Sequence, residues 1–189
     1  MSLELIVRTY TSKIQPKAQT ELEWFKKQPT LILAVEKAAL AINSKQKRYS
    51  HQRRLKKVNL EQARKILVAN LELLNSCKSF DELFSLVEKL VRHINGIGEL
   101  YVYDTTLRIG ANLGLLPTKV YLHAGTRTGA KRLGFQGKEP TIAVSKFPKA
   151  LQKLQPHEIE DVLCIFKDDL GQVEFHILDK KKAKRSWCS

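Results

Sequence analysis

Ile94-Asn95-Gly96-Ile97-Gly98-Glu99-Leu100 decides how this chain is read. Upstream, Ser79-Phe80-Asp81-Glu82 has the form of a capping box, and Leu83, Leu86, Val87, Leu90, Val91 and Ile94 follow at i, i+3, i+4 spacing. That spacing predicts a helix over 80–94 with one apolar face. Downstream, a second helix is expected from about Glu99 to Leu113, with Gly114 as its left-handed stop. Two glycines, one apolar residue apart, then make a tight turn between two helices. Glycine permits positive φ and has no side chain to hold a ligand away. The second helix opens with unpaired N–H groups and the positive end of its dipole, which together suit an anion.

Charge indicates which anion. The 189 residues carry 33 Lys and Arg against 19 Asp and Glu, a formal net charge of +14. A nucleic-acid phosphate is the expected ligand. Between residues 45 and 57 stand Lys45, Lys47, Arg48, Arg53, Arg54, Lys56 and Lys57, with no acid among them and with Tyr49 and His51 interleaved. This reads as a phosphate-facing patch, although an anionic membrane surface attracts the same charges. A second block, Lys180-Lys181-Lys182-Ala183-Lys184-Arg185, belongs to an expected flexible basic tail over 179–189. No apolar run approaches the roughly 18–20 residues of a membrane span, so no membrane insertion is expected. Met1-Ser2-Leu3-Glu4 lacks the pattern of a signal peptide. Cys77, Cys164 and Cys188 are few and far apart, as in a reduced, cytoplasmic protein, with Cys188 expected to be exposed.

The rest of the chain also reads as helix, which predicts a mostly α fold: one helical bundle over 1–178 built around the hairpin at 80–113. Ser2 can cap a first helix that pauses near Pro16 and continues to Pro29. Thr30 can cap another through Ile42, and Ser50 can open a long one to about Asn75. Residues His123 to Leu133 suggest a short helix stopped by Gly134. Pro148 and Pro156 each suit a first helical turn. Short extended pieces are expected at Thr141–Val144 and at Gln172–Leu178.

Helix 80–94, Asn95-Gly96-Ile97-Gly98 and helix 99–113 resemble a helix-hairpin-helix motif, which implies that the hairpin amides hold one DNA phosphate without reading sequence. Pro117, the apolar run before His123, and Ala130-Lys131-Arg132-Leu133-Gly134 are similar to the region that follows this motif in helix-hairpin-helix DNA glycosylases. The resemblance covers about residues 80–135. The whole chain also looks like bacterial proteins, a likeness that implies no activity. Three departures accompany the glycosylase resemblance. His123 falls where that family has its catalytic Asp. Leu100 falls near the position of its Schiff-base Lys. Three cysteines cannot supply a four-cysteine iron–sulfur loop. No Asp or Glu lies between Asp104 and Glu139. A histidine cannot give the negative charge that stabilises a sugar cation, although a neutral imidazole can act as a base.

The expectation is therefore duplex-favouring, non-sequence-specific DNA or other nucleic-acid binding by a catalytically degenerate glycosylase relative. Gly96, Ile97 and Gly98, together with Arg48, Arg53, Arg54, Lys56, Lys57, Lys119, Arg127, Lys131 and Arg132, form the expected interface. If chemistry remains, His123 and Asp104 are the catalytic candidates, in a divergent base-excision or related nucleic-acid enzyme. Asp104 and Arg108, four apart, read more simply as a structural ion pair. A third reading is a protein-interaction component of a mobile-element or defence system. The five histidines show no H-x-x-x-H or H-x-E spacing, so neither a metal nor another cofactor is expected.

Overall fold

The structure is a computed structural model that describes residues 2–171. It is mainly α-helical, with ten α-helices and one two-stranded sheet among the described residues. The helices are α1 (Leu3–Lys13), α2 (Gln15–Lys26), α3 (Leu31–Ala39), α4 (Lys57–Ala69), α5 (Leu71–Ser76), α6 (Phe80–Val91), α7 (Glu99–Leu113), α8 (Ala124–Arg132), α9 (Pro156–Ile165) and α10 (Lys167–Leu170). Strands β1 (Lys119–Tyr121) and β2 (Thr141–Ala143) pair antiparallel, with Val120 opposite Ile142. No described helix is long and apolar enough to cross a membrane. The expected extended piece at 172–178, the basic tail and Cys188 lie outside the described residues.

Local signals account for most of the element starts. Ser2, Thr30 and Ser79 each accept a hydrogen bond from an early helical N–H, at 3.2, 3.4 and 3.2 Å. Glu82 reaches back to the N–H of Lys78, one residue before the cap, at 2.8 Å. Gly114 ends α7 at φ +73, as its position suggested.

Three expectations need correction. The helix from Ser50 to Asn75 is broken into a 3-10 turn at Ser50–Gln52, then α4 and α5. Its first turns carry mostly basic side chains and no apolar stripe, and Gln52 is drawn inward onto α7 instead. The helix from Thr30 stops at Ala39, because Ala41 turns left-handed at φ +55 and Ile42 N–H bonds back to Lys37 O. The helix at Pro148 is only a 3-10 turn at Leu151–Lys153.

Apolar side chains gather in two cores. The larger lies among α2 to α7 and includes Phe25, Leu60, Leu67, Leu83, Val102 and Ile109. The smaller joins α1 to the sheet, α8, α9 and α10, through Ile6, Tyr10, Val120, Ile159 and Leu163. Each fully buried Leu, Ile or Phe contributes about 1.5–3 kcal/mol. Helices α8 and α9 approach closely because Gly129 has no Cβ; one built there would stand 2.2 Å from Leu163 O. Between the two cores, Phe80, Tyr103 and Tyr121 form an aromatic seam.

Candidate nucleic-acid interface and the adjoining pocket

The turn between α6 and α7 is built from the inside. Ile97 is 2% exposed, so its side chain anchors the turn in the larger core and does not face a ligand. Its N–H bonds to Ile94 O at 3.0 Å, and its carbonyl accepts from Arg92 Nη1 at 2.6 Å. Gly96 sits at φ +80, a conformation that costs a β-branched residue dearly. Gly98 differs: its backbone is ordinary and extended, it caps α7 without any side-chain hydrogen bond, and a Cβ there would meet nothing within 4 Å. Nothing among the described residues requires glycine at 98. The space it leaves opens outward, at a helix end with free N–H groups.

The basic segment is docked beside this turn. Asn59 Nδ2 donates to Asn95 O at 2.5 Å, joining the first turn of α4 to the hairpin. Asp104 accepts from His51 Nε2 (2.7 Å), Gln52 Nε2 (2.8 Å) and Arg108 Nη2 (3.1 Å). Gln52 also accepts from Arg108 Nη1 at 3.1 Å, and the Arg108 guanidinium lies 4.0 Å from the centroid of the Tyr49 ring. Burial pushes the Asp104 carboxyl upward, but the Arg108 charge and the His51 hydrogen bond outweigh it and hold the group below its usual range. Asp104 thus behaves as an ion-pair anchor. Arg48 Nη1 donates to Leu55 O, bracing the segment. Arg53, Arg54, Lys56 and Lys57 are exposed and make no ion pair among the described residues.

The cations after the hairpin are placed differently. Lys119 pairs with Asp81 at 2.7 Å, Arg132 with Asp168 at 3.2 Å, and Arg127 with Glu99 in the first turn of α7. The Arg127 hydrogen bond holds Glu99 below its usual range. Lys131 is exposed, and its stem lies against Gly137. The expected interface residues therefore divide into an unpaired group at 53–57 and a largely paired group at 119–132.

The Arg127–Glu99 pair rims a pocket of about 120 Å3 whose walls include Phe84, Tyr103, Tyr121 and His123. The Tyr103 hydroxyl is buried and finds no hydrogen-bond partner among the described residues. His123 is 3% exposed and precedes α8; its N–H donates to Thr126 Oγ1 at 2.7 Å. Its Nε2 shares a hydrogen bond with Oε1 of Glu160, from α9. Burial raises the Glu160 carboxyl above its usual range despite that hydrogen bond. Burial and the neighbouring Glu160 push the Asp161 carboxyl up to about 8, and Tyr10 donates to it at 2.8 Å.

Sequence reasoning missed Glu160. It lies 37 residues beyond His123 on another helix, so no local spacing pairs the two. The one signal present is Glu160 and Cys164, four apart on α9, which share a helical face. No protein-family model, curated protein or solved structure matches the chain.

Proposed function

We propose that this protein binds DNA, duplex by preference and without reading sequence, through a helix-hairpin-helix phosphate site flanked by Arg53, Arg54, Lys56 and Lys57. One observation carries the reading. Gly98 leaves open space at the uncapped start of α7, beside a basic segment that Asn59 fastens to the hairpin and Asp104 fastens to α7. A phosphate oxygen reaches helix N–H groups there, and the exposed cations follow the adjoining backbone. Such binding releases counterions, so log K falls with log salt by about 0.9 per neutralised duplex phosphate. Titration of labelled duplex and single-stranded DNA across a salt series tests it. A steep slope with tighter duplex binding is the expected outcome; affinity that stays flat with salt refutes the reading.

A second reading, a base-excision or related enzyme, is favoured by the Glu160 carboxylate beside His123 at the aromatic-walled pocket. Glu160 does not itself line the pocket, so in this reading it acts through His123, whose imidazole accepts the proton of an attacking water. Release of damaged bases from duplex oligonucleotides, abolished in Glu160→Gln and His123→Ala, is its test. Wild-type protein that releases no base from a panel of deaminated, oxidised and alkylated substrates removes this reading and leaves the first intact.

A further inference from the structure

His123, Glu160 and Cys164 bring an imidazole nitrogen, a carboxylate oxygen and a thiol sulfur within 4.8 Å of one another. We propose that these three side chains hold one zinc-class divalent ion. The donor set is one that such ions take: nitrogen, sulfur and oxygen together suit zinc or cobalt better than magnesium or calcium, which prefer oxygen alone. Two of the ligands come from a single face of α9 and the third from the start of α8, so the packing of two helices fixes the site. The Gly129 contact holds those helices together, and Gly125 keeps room for the sulfur: a Cβ at Gly125 would stand 2.9 Å from Cys164 Sγ.

The charges of the three ligands match a divalent ion. On binding, the Cys164 S–H bond breaks and its proton leaves to solvent, as does any proton shared by His123 and Glu160. The thiolate and the carboxylate then balance the two positive charges of the ion, and the neutral imidazole completes the three protein ligands. Because protons are released, affinity rises with pH. The site stands independently of the DNA-binding reading, since none of its ligands belongs to the hairpin or to the 53–57 cations.

The experiment is direct metal titration of the full-length, tag-free chain after chelator treatment. Zinc is followed by calorimetry and cobalt by its thiolate-to-metal absorption in the near ultraviolet. The expected result is one ion per chain, with a higher melting temperature in zinc. Cys164→Ser should abolish the cobalt–thiolate band and weaken zinc binding by about tenfold or more, while Cys77→Ser and Cys188→Ser leave both unchanged. Glu160→Gln, which keeps a hydrogen-bonding side chain in place, should also weaken binding. Its circular dichroism shows whether the fold survives, and Gly125→Ala, which crowds the sulfur, provides a second variant. Absence of saturable binding in the wild type overturns the proposal. So does one-to-one binding that a folded Cys164→Ser chain retains at full strength.

Discussion

Two stretches of this chain, residues 45–57 and 119–132, look alike in sequence: each is rich in Lys and Arg and poor in acids. Their placement separates them. The first keeps Arg53, Arg54, Lys56 and Lys57 exposed and unpaired among the described residues, beside a hairpin with an uncapped helix end. The second finds acids from elsewhere in the chain: Asp81 for Lys119, Glu99 for Arg127 and Asp168 for Arg132. A cation already matched to a carboxylate adds little to the field that a phosphate meets. Local charge density therefore says where cations are, and tertiary pairing says which remain available.

Charge removal separates the two stretches most visibly. Arg53, Arg54, Lys56 and Lys57 changed together to Ala should weaken duplex binding by about a thousandfold near 0.1 M salt and reduce the salt slope by about 3 to 4. Fluorescence anisotropy across a salt series measures both. These side chains make no ion pair in the described structure, so the melting temperature should hardly move. An unchanged slope would mean that the available cations are not the ones in contact.

Asp104→Asn comes next. It leaves Arg108, a residue only 7% exposed, without its carboxylate. Loss of one partner of a buried pair costs about 3 kcal/mol or more, and the 50–52 turn loses its anchor on α7. The pH dependence follows from the depressed carboxyl. A group held lower in the folded state than in the unfolded one stabilises the fold above the ordinary Asp range, near 3.9. That contribution is lost as the pH falls from there through the folded value. Urea melts between pH 7 and pH 3 should show an acid-side loss in the wild type and a smaller one in Asp104→Asn, in which Glu21, Asp81 and Glu99 are still held low. A variant as stable as the wild type at pH 7 would show that Asp104 is not the anchor, and would reopen its catalytic candidacy.

The hairpin can be tested apart from charge. Gly98→Val should stay folded, since the new side chain meets open space and poorer capping costs about 1 kcal/mol. Its DNA affinity should drop by about tenfold through lost phosphate approach. Gly96→Val is the less informative change, because φ +80 strains valine whatever binds there. A folded Gly98→Val protein that binds like the wild type excludes the hairpin from the interface.

What could be read from sequence, and what could not, follows the range of the interactions. Caps at Ser2, Thr30 and Ser79, the apolar stripe of α6 and the stop at Gly114 are set within four or five residues, and each is legible. The break of the expected 50–75 helix is not, because Gln52 answers to Asp104 and Arg108 on a helix about fifty residues away. His123 could be singled out as a candidate, but its neighbour Glu160 could not: α8 and α9 meet only when the smaller core closes around Leu163 and Gly129. That neighbour also changes a natural test of the glycosylase resemblance. His123→Asp would set a second carboxylate against Glu160, so it destabilises the site instead of restoring a lone catalytic acid.

The paired stretch gives the smallest expected effect. Lys119, Arg127 and Arg132 changed together to Ala remove three formal charges, close to the four removed from the 53–57 group. If charge alone governed binding, the two variants would lose comparable affinity. If pairing governs it, the 119–132 variant should bind DNA within about threefold of the wild type, because each lost cation also frees a carboxylate that it had masked. Freed Asp81 and Asp168 lie on exposed surface, where water screens them. Glu99 is the exception: it stands in the first turn of α7, and without Arg127 its charge faces the same helix end as the phosphate. Most of any residual loss should therefore come from Arg127→Ala alone and be relieved by adding Glu99→Gln. The stability cost of all three should stay near 1 kcal/mol per pair or below, as partly exposed pairs are screened by solvent. A thousandfold loss from this variant would place the paired cations in the interface and erase the distinction between the two stretches.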